Sequence, residues 1–132
     1  MRALSIRQPW AWLIIHGGKD IENRNWSTRY RGKILIHASK LMTSVQYDWA
    51  FDYVYFKLGS EAAHKLPKPD ALERGGIIGS VEIADCVASS DSQWFMGRFG
   101  FKLRDARPLP FKPYKGRLGF FNVDGVIREE IK

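Results

Sequence analysis

The sequence has one cysteine and no long apolar run, and each shortage excludes a class of protein. Cys86 has no partner within the chain, so a fold held by internal disulfide bonds is excluded and a reducing compartment is indicated. The longest apolar run, from Pro9 to Ile15, is far too short to span a bilayer. The first residues do not form a cationic stretch followed by an apolar segment, so we expect no signal peptide. The sequence therefore predicts a soluble cytoplasmic protein without membrane attachment.

Patterns typical of metal sites and of common catalytic loops are also lacking. His16, His37 and His64 have no spacing typical of a metal site, and the lone Cys86 adds no ligand pair. No Gly-rich phosphate loop, nucleophile elbow or kinase signature occurs. We therefore predict no metal site and no cofactor, and we interpret His37 as a hydrogen-bonded structural residue.

Positive charge is present in excess, and it is concentrated in two segments. The 132 residues carry a formal net charge of +7, with 45% hydrophobic and 14% aromatic residues. Residues 1–40 and residues 95–117 each carry +6, while the remainder sums to −5. Such a basic patch favours a polyanionic partner, and the alternative is a solvated surface that is cationic without a binding role. Length and hydrophobic content predict one folded domain over residues 1–132.

The spacing of apolar residues predicts strands and helices without a regular βα alternation. The predicted strands are residues 2–7, 33–38, 76–87, 98–104 and 118–123, and the predicted helices are residues 9–17 and 43–59. Thr43-x-x-Gln46 has the pattern of a capping box at the start of the second helix. Residues 19–24 read as a polar segment, and residues 60–75 as a short helical turn followed by a loop. This order favours an α+β fold, with helices flanking a mixed or antiparallel β-barrel.

The most specific pattern is Gly17-x-Lys19-x-x-Glu22-x-Arg24, which follows the first predicted helix. It is preceded by SIRQPWA from residue 5 and followed by YRG, IHAS and, near the end of the chain, KGRLG. The combination resembles the ASCH domain family, in its bacterial and phage-like single-domain branch, over nearly the whole chain. The resemblance implies a PUA-like β-barrel with a cleft beside the first helix.

The resemblance also implies a function connected with RNA. The family is associated with RNA binding and RNA-linked regulation, and some of its branches resemble ribonucleases or amidohydrolases of acylated cytidine. In the amidohydrolase branch a threonine stands where this chain has Glu22, so the match with that branch is incomplete. We expect binding of single-stranded RNA in a basic cleft at the barrel mouth. The alternative is a hydrolase, either a ribonuclease that could use a divalent metal ion or an amidohydrolase.

Lys19, Glu22 and Arg24 are the central candidates for that cleft. Lys19 could bind a phosphate or carbonyl group or act as a base, and Glu22 could orient it, whereas the structural alternative is an ion pair. In an extended segment Lys19 and Glu22 lie on opposite sides, so they meet only if the chain turns between them. We expect Lys19, Glu22, Arg24, Tyr30 and Lys40 to converge on one pocket, with Gln8 and Trp10 at its rim.

Aromatic residues interleaved with cations suit single-stranded nucleic acid, because bases stack on rings while cations follow the phosphates. We predict Tyr30 as a stacking residue and Trp26 as a plug of the barrel, while Trp49 and the other tryptophans are interpreted as core or helix-packing residues. If the protein is an enzyme, the predicted catalytic residues are Lys19, Glu22 and Tyr30. The predicted nucleic-acid-binding residues are Gln8, Trp10, Lys19, Arg24, Arg29, Tyr30, Arg31, Lys40, Arg98, Lys102 and Arg104.

Overall fold

Six strands and three helices form the fold in a computed structural model, which describes residues 1–124. The strands are β1 (Arg2–Ile6), β2 (Ile21–Arg24), β3 (Gly32–Ala38), β4 (Gly76–Val87), β5 (Phe99–Pro113) and β6 (Phe120–Asn122). The helices are α1 (Trp10–His16), α2 (Ser44–Leu58) and α3 (Ser60–His64), with one 3₁₀ turn at Pro69–Ala71. The predicted domain covers residues 1–132, of which residues 125–132 lie outside the described part.

The strands form one mixed sheet in the order β2-β5-β4-β3-β1-β6. Only β1 and β3 run parallel, with Leu4 opposite Ile36, and the other neighbouring strands are antiparallel. The sheet curls into a half-barrel, with β2 and β6 as its two edge strands. This architecture confirms the predicted α+β fold with a PUA-like mixed sheet and flanking helices.

Aromatic rings fill the seam between the two edges of the curled sheet. The ring centroid of Trp26, just after β2, lies 5.2 Å from that of Phe101 on β5 and 5.6 Å from that of Phe120 on β6. The rings of Phe101 and Phe120 are themselves stacked at 6.1 Å. Trp26 therefore packs across the seam, in agreement with its predicted place in the barrel, although it stays half-buried and is not enclosed.

Apolar side chains pack on both faces of the sheet. The interior cluster joins α1 to β1, β3, β4 and β5 through Leu4, Ile6, Ala11, Ile14, Ile15, Ile34, Ile36, Ala38, Ile78, Val81, Ile83, Phe101 and Leu103. A smaller cluster on the opposite face contains Ala3, Leu35, Ile77, Phe121 and Val123. Because both faces of β3 are covered, its residues are almost all apolar, as expected for a central strand.

Helix α2 begins where its capping residues predict. The Thr43 hydroxyl accepts from the Gln46 N–H at 3.1 Å, and the Gln46 side chain accepts from the Thr43 N–H at 2.9 Å. Both bonds satisfy donors that a helix start otherwise leaves free. The capping box is therefore confirmed, and Val54 anchors the helix in a cluster with Leu13 of α1.

Two predicted boundaries differ from the structure. Residues 21–24 form β2, where the sequence predicted only a polar segment, because they pair with β5 between Phe99 and Lys102. Strand β5 extends to Pro113, past the predicted end at Arg104, although it contains three prolines. Strand β2 pairs with β5 only as far as Lys102, and the three prolines lie beyond that point. On the edge of β5 that faces β2, their missing N–H groups therefore remove no hydrogen bond between strands.

Replacing Gly79 with alanine is expected to destabilise the protein by about 1–3 kcal/mol, since overpacking in a tight interior costs that much. A Cβ at this position would lie 2.6 Å from the Arg107 carbonyl oxygen and 2.6 Å from Cδ1 of Ile15. The carbonyl belongs to the paired strand β5 and cannot move alone. Urea denaturation measures the effect as a lower midpoint. An unchanged midpoint would contradict this packing between α1, β4 and β5.

Candidate functional site

A cleft of about 600 Å³ opens between α1, β2 and the segment that precedes β6. We define the cleft by its lining residues, which are Ser5, Ile6, Arg7, Trp10, Lys19, Glu22, Asn23, Arg24, Asn25, Trp26, Ser39, Trp49, Met96, Arg117, Leu118 and Gly119. These residues gather because β2 and β6 are the two edges that approach each other when the sheet curls. The cleft therefore lies along the seam of the half-barrel.

The floor of the cleft is an ion-paired trio. The Nζ atom of Lys19 lies 3.6 Å from Oε1 of Glu22, and the Nε atom of Arg24 donates to Oε2 of Glu22 at 2.9 Å. Lys19 also donates to the carbonyl oxygen of Ile21. Strand β2 begins only at Ile21, so Lys19 precedes it and folds back toward Glu22. This turn brings together the two residues that a fully extended segment would have separated.

Burial sets the chemistry of this floor. Lys19 and Glu22 are only 4% and 7% exposed. Burial lowers the pKa of the Lys19 amine below its ordinary value of 10.5, and the adjacent Glu22 carboxylate opposes that shift. The amine is thus closer to the neutral state than a surface lysine, which suits it to proton transfer as well as to binding.

Three tryptophans form the walls above the floor. Trp10 begins α1, Trp26 follows β2 and Trp49 lies on α2. The centroids of Trp10 and Trp49 are 5.9 Å apart in an edge-to-face contact. Trp49 is 55% exposed, so it is not a core residue, although its contact with Trp10 agrees with the predicted packing between helices. Its ring instead offers surface to the cleft, because the buried side of α2 is made by Tyr47, Ala50 and Val54.

Two arginines and one leucine at the cleft were not among the predicted site residues. Arg7 follows β1, while Arg117 and the 99% exposed Leu118 precede β6. Both arginines could have been predicted from the sequence, since Arg7 lies in the motif SIRQPWA and Arg117 lies in the motif KGRLG. Arg24 also links the two sides, because its Nη2 donates to the Ser5 carbonyl oxygen at 2.9 Å.

The predicted convergence is right for Lys19, Glu22, Arg24 and Trp10, but wrong for Gln8. Gln8 is 1% exposed and points into the protein. Its Oε1 accepts from the Trp12 N–H at 2.9 Å, and its Nε2 donates to the Glu73 carbonyl at 2.8 Å. Gln8 therefore joins α1 to the loop before β4, and does not lie at the rim of the cleft.

The convergence is also wrong for Tyr30 and Lys40, which do not line the cleft. The Tyr30 hydroxyl donates to the Lys33 carbonyl at 2.8 Å, and the Arg2 guanidinium lies 4.9 Å from the ring centroid. This packing turns the ring away from the floor. Lys40 is exposed beyond the end of β3, where its side chain passes near Gly75.

The remaining predicted cations lie on the exterior, outside the cleft lining. They are Arg29, Arg31, Arg98, Lys102 and Arg104, and all are exposed. Arg31 pairs with Asp85 at 3.2 Å, and Arg104 pairs with Glu82 at 2.7 Å. Whether these cations bind nucleic acid stays a prediction.

The described residues contain neither a metal-binding cluster nor a membrane-spanning helix. Over residues 1–124, no three His, Cys, Asp or Glu side chains gather in a group that could hold a metal ion. Within the same residues no helix combines the length and the apolar character needed to cross a bilayer.

Comparisons with known proteins agree on the family and the fold. The family model described as ASCH domain matches residues 4–116. Activating signal cointegrator 1 from Homo sapiens and that from Mus musculus are each 28% identical over 138 residues. These matches cover 98% of this chain but only 23% of each relative, so the chain spans about a quarter of their length.

Solved structures of an ASCH protein from Zymomonas mobilis share the fold. That protein superposes with a TM-score of 0.55 at 14% identity, over 98% of this chain and 92% of its own. A mutant of the same protein also gives 0.55 at 14% identity, over 98% and 94%. Similarity at this identity shows the architecture alone.

Proposed function

This chain belongs to the ASCH domain family, and from that premise we propose that it binds single-stranded RNA in the cleft. The family is associated with RNA and nucleic-acid binding. The +7 net charge favours a polyanionic ligand. A cytoplasmic location is part of the proposal, in keeping with the single cysteine.

The observation that carries the proposal is the combination of aromatic walls with cations at one cleft. Trp10, Trp26 and Trp49 surround a floor that contains Lys19 and Arg24. Base stacking on an aromatic ring contributes about 1–3 kcal/mol per base and requires an unpaired strand. A duplex would keep its bases stacked on each other, so single-stranded RNA fits this arrangement better.

The floor and the rim suit different parts of a nucleotide. Arg7 and Arg117 are exposed, so they can contact phosphates without losing their own hydration. Glu22 is an acceptor at the floor and suits the amino edge of a base, whose exocyclic amine donates. In this arrangement phosphate contacts position the strand and the floor contacts the base.

RNA affinity is expected to fall steeply with salt, and more of that dependence should come from the cleft rim than from β5. For a single strand, the slope of log affinity against log salt changes by about 0.7 for each phosphate contact. The double variant Arg7→Glu, Arg117→Glu should reduce the magnitude of this slope by more than about 0.7, which corresponds to the loss of more than one phosphate contact. Arg98→Glu, Lys102→Glu and Arg104→Glu together should weaken binding without unfolding, because these residues are exposed.

Fluorescence anisotropy with a labelled single-stranded RNA, measured from low to high salt, tests this prediction. Lys65→Glu with Lys68→Glu is the matched control, since both lysines are exposed and lie outside the cleft lining. The proposal fails if the parent does not bind RNA at low salt, or if its affinity is independent of salt. Equal effects of the two double variants would show that Arg7 and Arg117 do not contact the RNA.

A hydrolase is the second candidate, favoured by the buried Lys19 beside Glu22. Burial lowers the pKa of Lys19, so its amine could accept a proton from a water or a ribose hydroxyl while Glu22 holds it in place. Tyr30 has no part in this version, because its hydroxyl is engaged with Lys33 outside the cleft. Incubating the protein with labelled RNA, with and without Mg²⁺ or Mn²⁺, tests for ribonuclease activity and its metal dependence.

A further inference from the structure

A chain of hydrogen bonds runs from the cleft into the protein. The Ser39 hydroxyl lies 2.9 Å from the Ser5 hydroxyl, which lies 2.9 Å from Nδ1 of His37. The Nε2 atom of His37 lies 2.6 Å from the Tyr114 carbonyl oxygen. Ser5 and Ser39 line the cleft, whereas His37 is 1% exposed behind them.

When the imidazole of His37 carries a single proton, its partners fix the direction of every bond in this series. A carbonyl oxygen only accepts, so that proton lies on Nε2. The Nδ1 atom is then an acceptor, and the Ser5 hydroxyl must donate to it. Because the single proton of Ser5 is used there, the bond between the two hydroxyls requires Ser39 to donate to Ser5. Ser39 therefore has no proton left for a ligand, and only its lone pairs can face the cleft.

The surroundings hold this chain in place. A Cβ at residue 116 would lie 2.6 Å from Cε1 of His37 and 3.1 Å from the Ser5 hydroxyl, so Gly116 packs directly against the pair. The Ser39 N–H donates to the Ile6 carbonyl at 2.9 Å, which fixes Ser39 beside the end of β1. The series of hydrogen bonds thus ends at the Ser39 hydroxyl, which faces the cleft.

We propose that Ser39 is a specificity-determining residue whose hydroxyl acts only as an acceptor and selects ligands that present a hydrogen-bond donor. In RNA that donor is the ribose 2′-hydroxyl, an exocyclic amine of a base or the ring imino N–H of uracil or guanine. Phosphate oxygens, which only accept, are rejected at this position and remain with the cations of the cleft. The proposal rests on the proposed RNA binding and names the group that is recognised.

The test compares oligomers that differ in a single donor. Labelled oligouridine, the same oligomer with 2′-fluoro sugars and oligocytidine are titrated against the full chain. The 2′-fluoro sugar removes the hydroxyl proton with little change in size, and cytosine adds an exocyclic amine that uracil lacks. If the 2′-hydroxyl is the donor, the parent should prefer oligouridine over its 2′-fluoro form by about three- to tenfold, the range for one hydrogen bond.

Substitutions then assign the preference to Ser39. Ser39→Ala should abolish the preference between the two oligomers, while Ser39→Thr, which keeps the hydroxyl, should retain it. Ser5→Ala should also reduce the preference, because Ser39 then loses the acceptor that holds its proton. Ser89→Ala is the matched control, since Ser89 is exposed and outside the cleft lining.

The outcomes separate this inference from the proposed function. A preference for oligocytidine over oligouridine that Ser39→Ala abolishes assigns the donor to the exocyclic amine and supports the inference. The opposite preference, if Ser39→Ala abolishes it, assigns the donor to the imino N–H of uracil and also supports the inference. Binding without any of these preferences, or a preference that survives Ser39→Ala, overturns it and leaves RNA binding intact. Failure to bind every oligomer at low salt overturns both.

Discussion

Replacing Glu22 with glutamine is expected to lower the free energy of unfolding by about 3–5 kcal/mol, the usual cost of breaking a buried ion pair from one side. The 4% exposed Lys19 would lose the carboxylate that offsets its desolvation. The single amide oxygen of glutamine is uncharged and can take the place of only one of the two carboxylate oxygens that Lys19 and Arg24 use. Urea denaturation measures the loss, and Glu73→Gln serves as the control because Glu73 is exposed.

The same variant should change how stability depends on pH. The pKa of Lys19 is lower in the folded protein than its ordinary 10.5, so between those values the unfolded chain binds more protons. Stability from this group therefore rises as the pH increases through that interval. Without the Glu22 carboxylate, the pKa of Lys19 in the folded protein falls further. As the pH rises from neutral to alkaline, the free energy of unfolding should therefore increase more in Glu22→Gln than in the parent. The same pH dependence in both proteins would contradict the ion-paired floor.

Replacing Lys19 with methionine is expected to remove most of the affinity for RNA while leaving the fold intact. Methionine occupies a similar volume and removes a buried charge, and Glu22 keeps its bond to Arg24. Stability should fall less than in Glu22→Gln, because the buried Glu22 carboxylate still has Arg24 as its partner. RNA affinity should fall by about tenfold or more, because a charged hydrogen bond is lost.

The size of each loss distinguishes binding from catalysis. If the cleft also hydrolyses RNA, Lys19→Met should reduce turnover by about 10²–10⁴-fold, the range for a proton-transfer group, with a smaller loss of affinity. Lys68→Met controls for the loss of one positive charge. Unchanged affinity and turnover would show that Lys19 is only a structural partner of Glu22.

The combination of Glu22→Gln with Lys19→Met makes the comparison sharper. Once the amine is absent, the loss of the carboxylate should cost less than it does alone, so the two effects should not add. Additive effects would show that Lys19 and Glu22 do not interact at their separation of 3.6 Å.

Much of the fold was predictable because its signals are local. The capping box at Thr43 gave the start of α2, and the alternation from Gly76 to Val87 matches β4. Strand β2 was not predicted, since its pattern Ile-Glu-Asn-Arg becomes a strand only through pairing with β5. The extension of β5 to Pro113 has the same kind of cause, because proline is tolerated only where no bond is required of it.

The candidate site was predictable in its centre but not at its borders. The motif residues Lys19, Glu22 and Arg24 lie within a few positions of each other, so a single turn brings them together. The directions of Tyr30 and Trp49 depend on distant partners. The ring of Tyr30 packs against Arg2 and Phe120, and the ring of Trp49 packs beside Trp10. No pattern in the sequence encodes those orientations.

The aromatic seam also has a consequence for the width of the cleft. Neighbouring strands joined by backbone hydrogen bonds keep a nearly constant spacing of about 4.8 Å, whatever their side chains. Across the seam, the rings of Trp26 and Phe120 set the separation instead. Because Trp26 also lines the cleft, a change of side-chain size at position 26 is expected to alter the separation of the two edges, and with it the width of the cleft, without shifting any strand register.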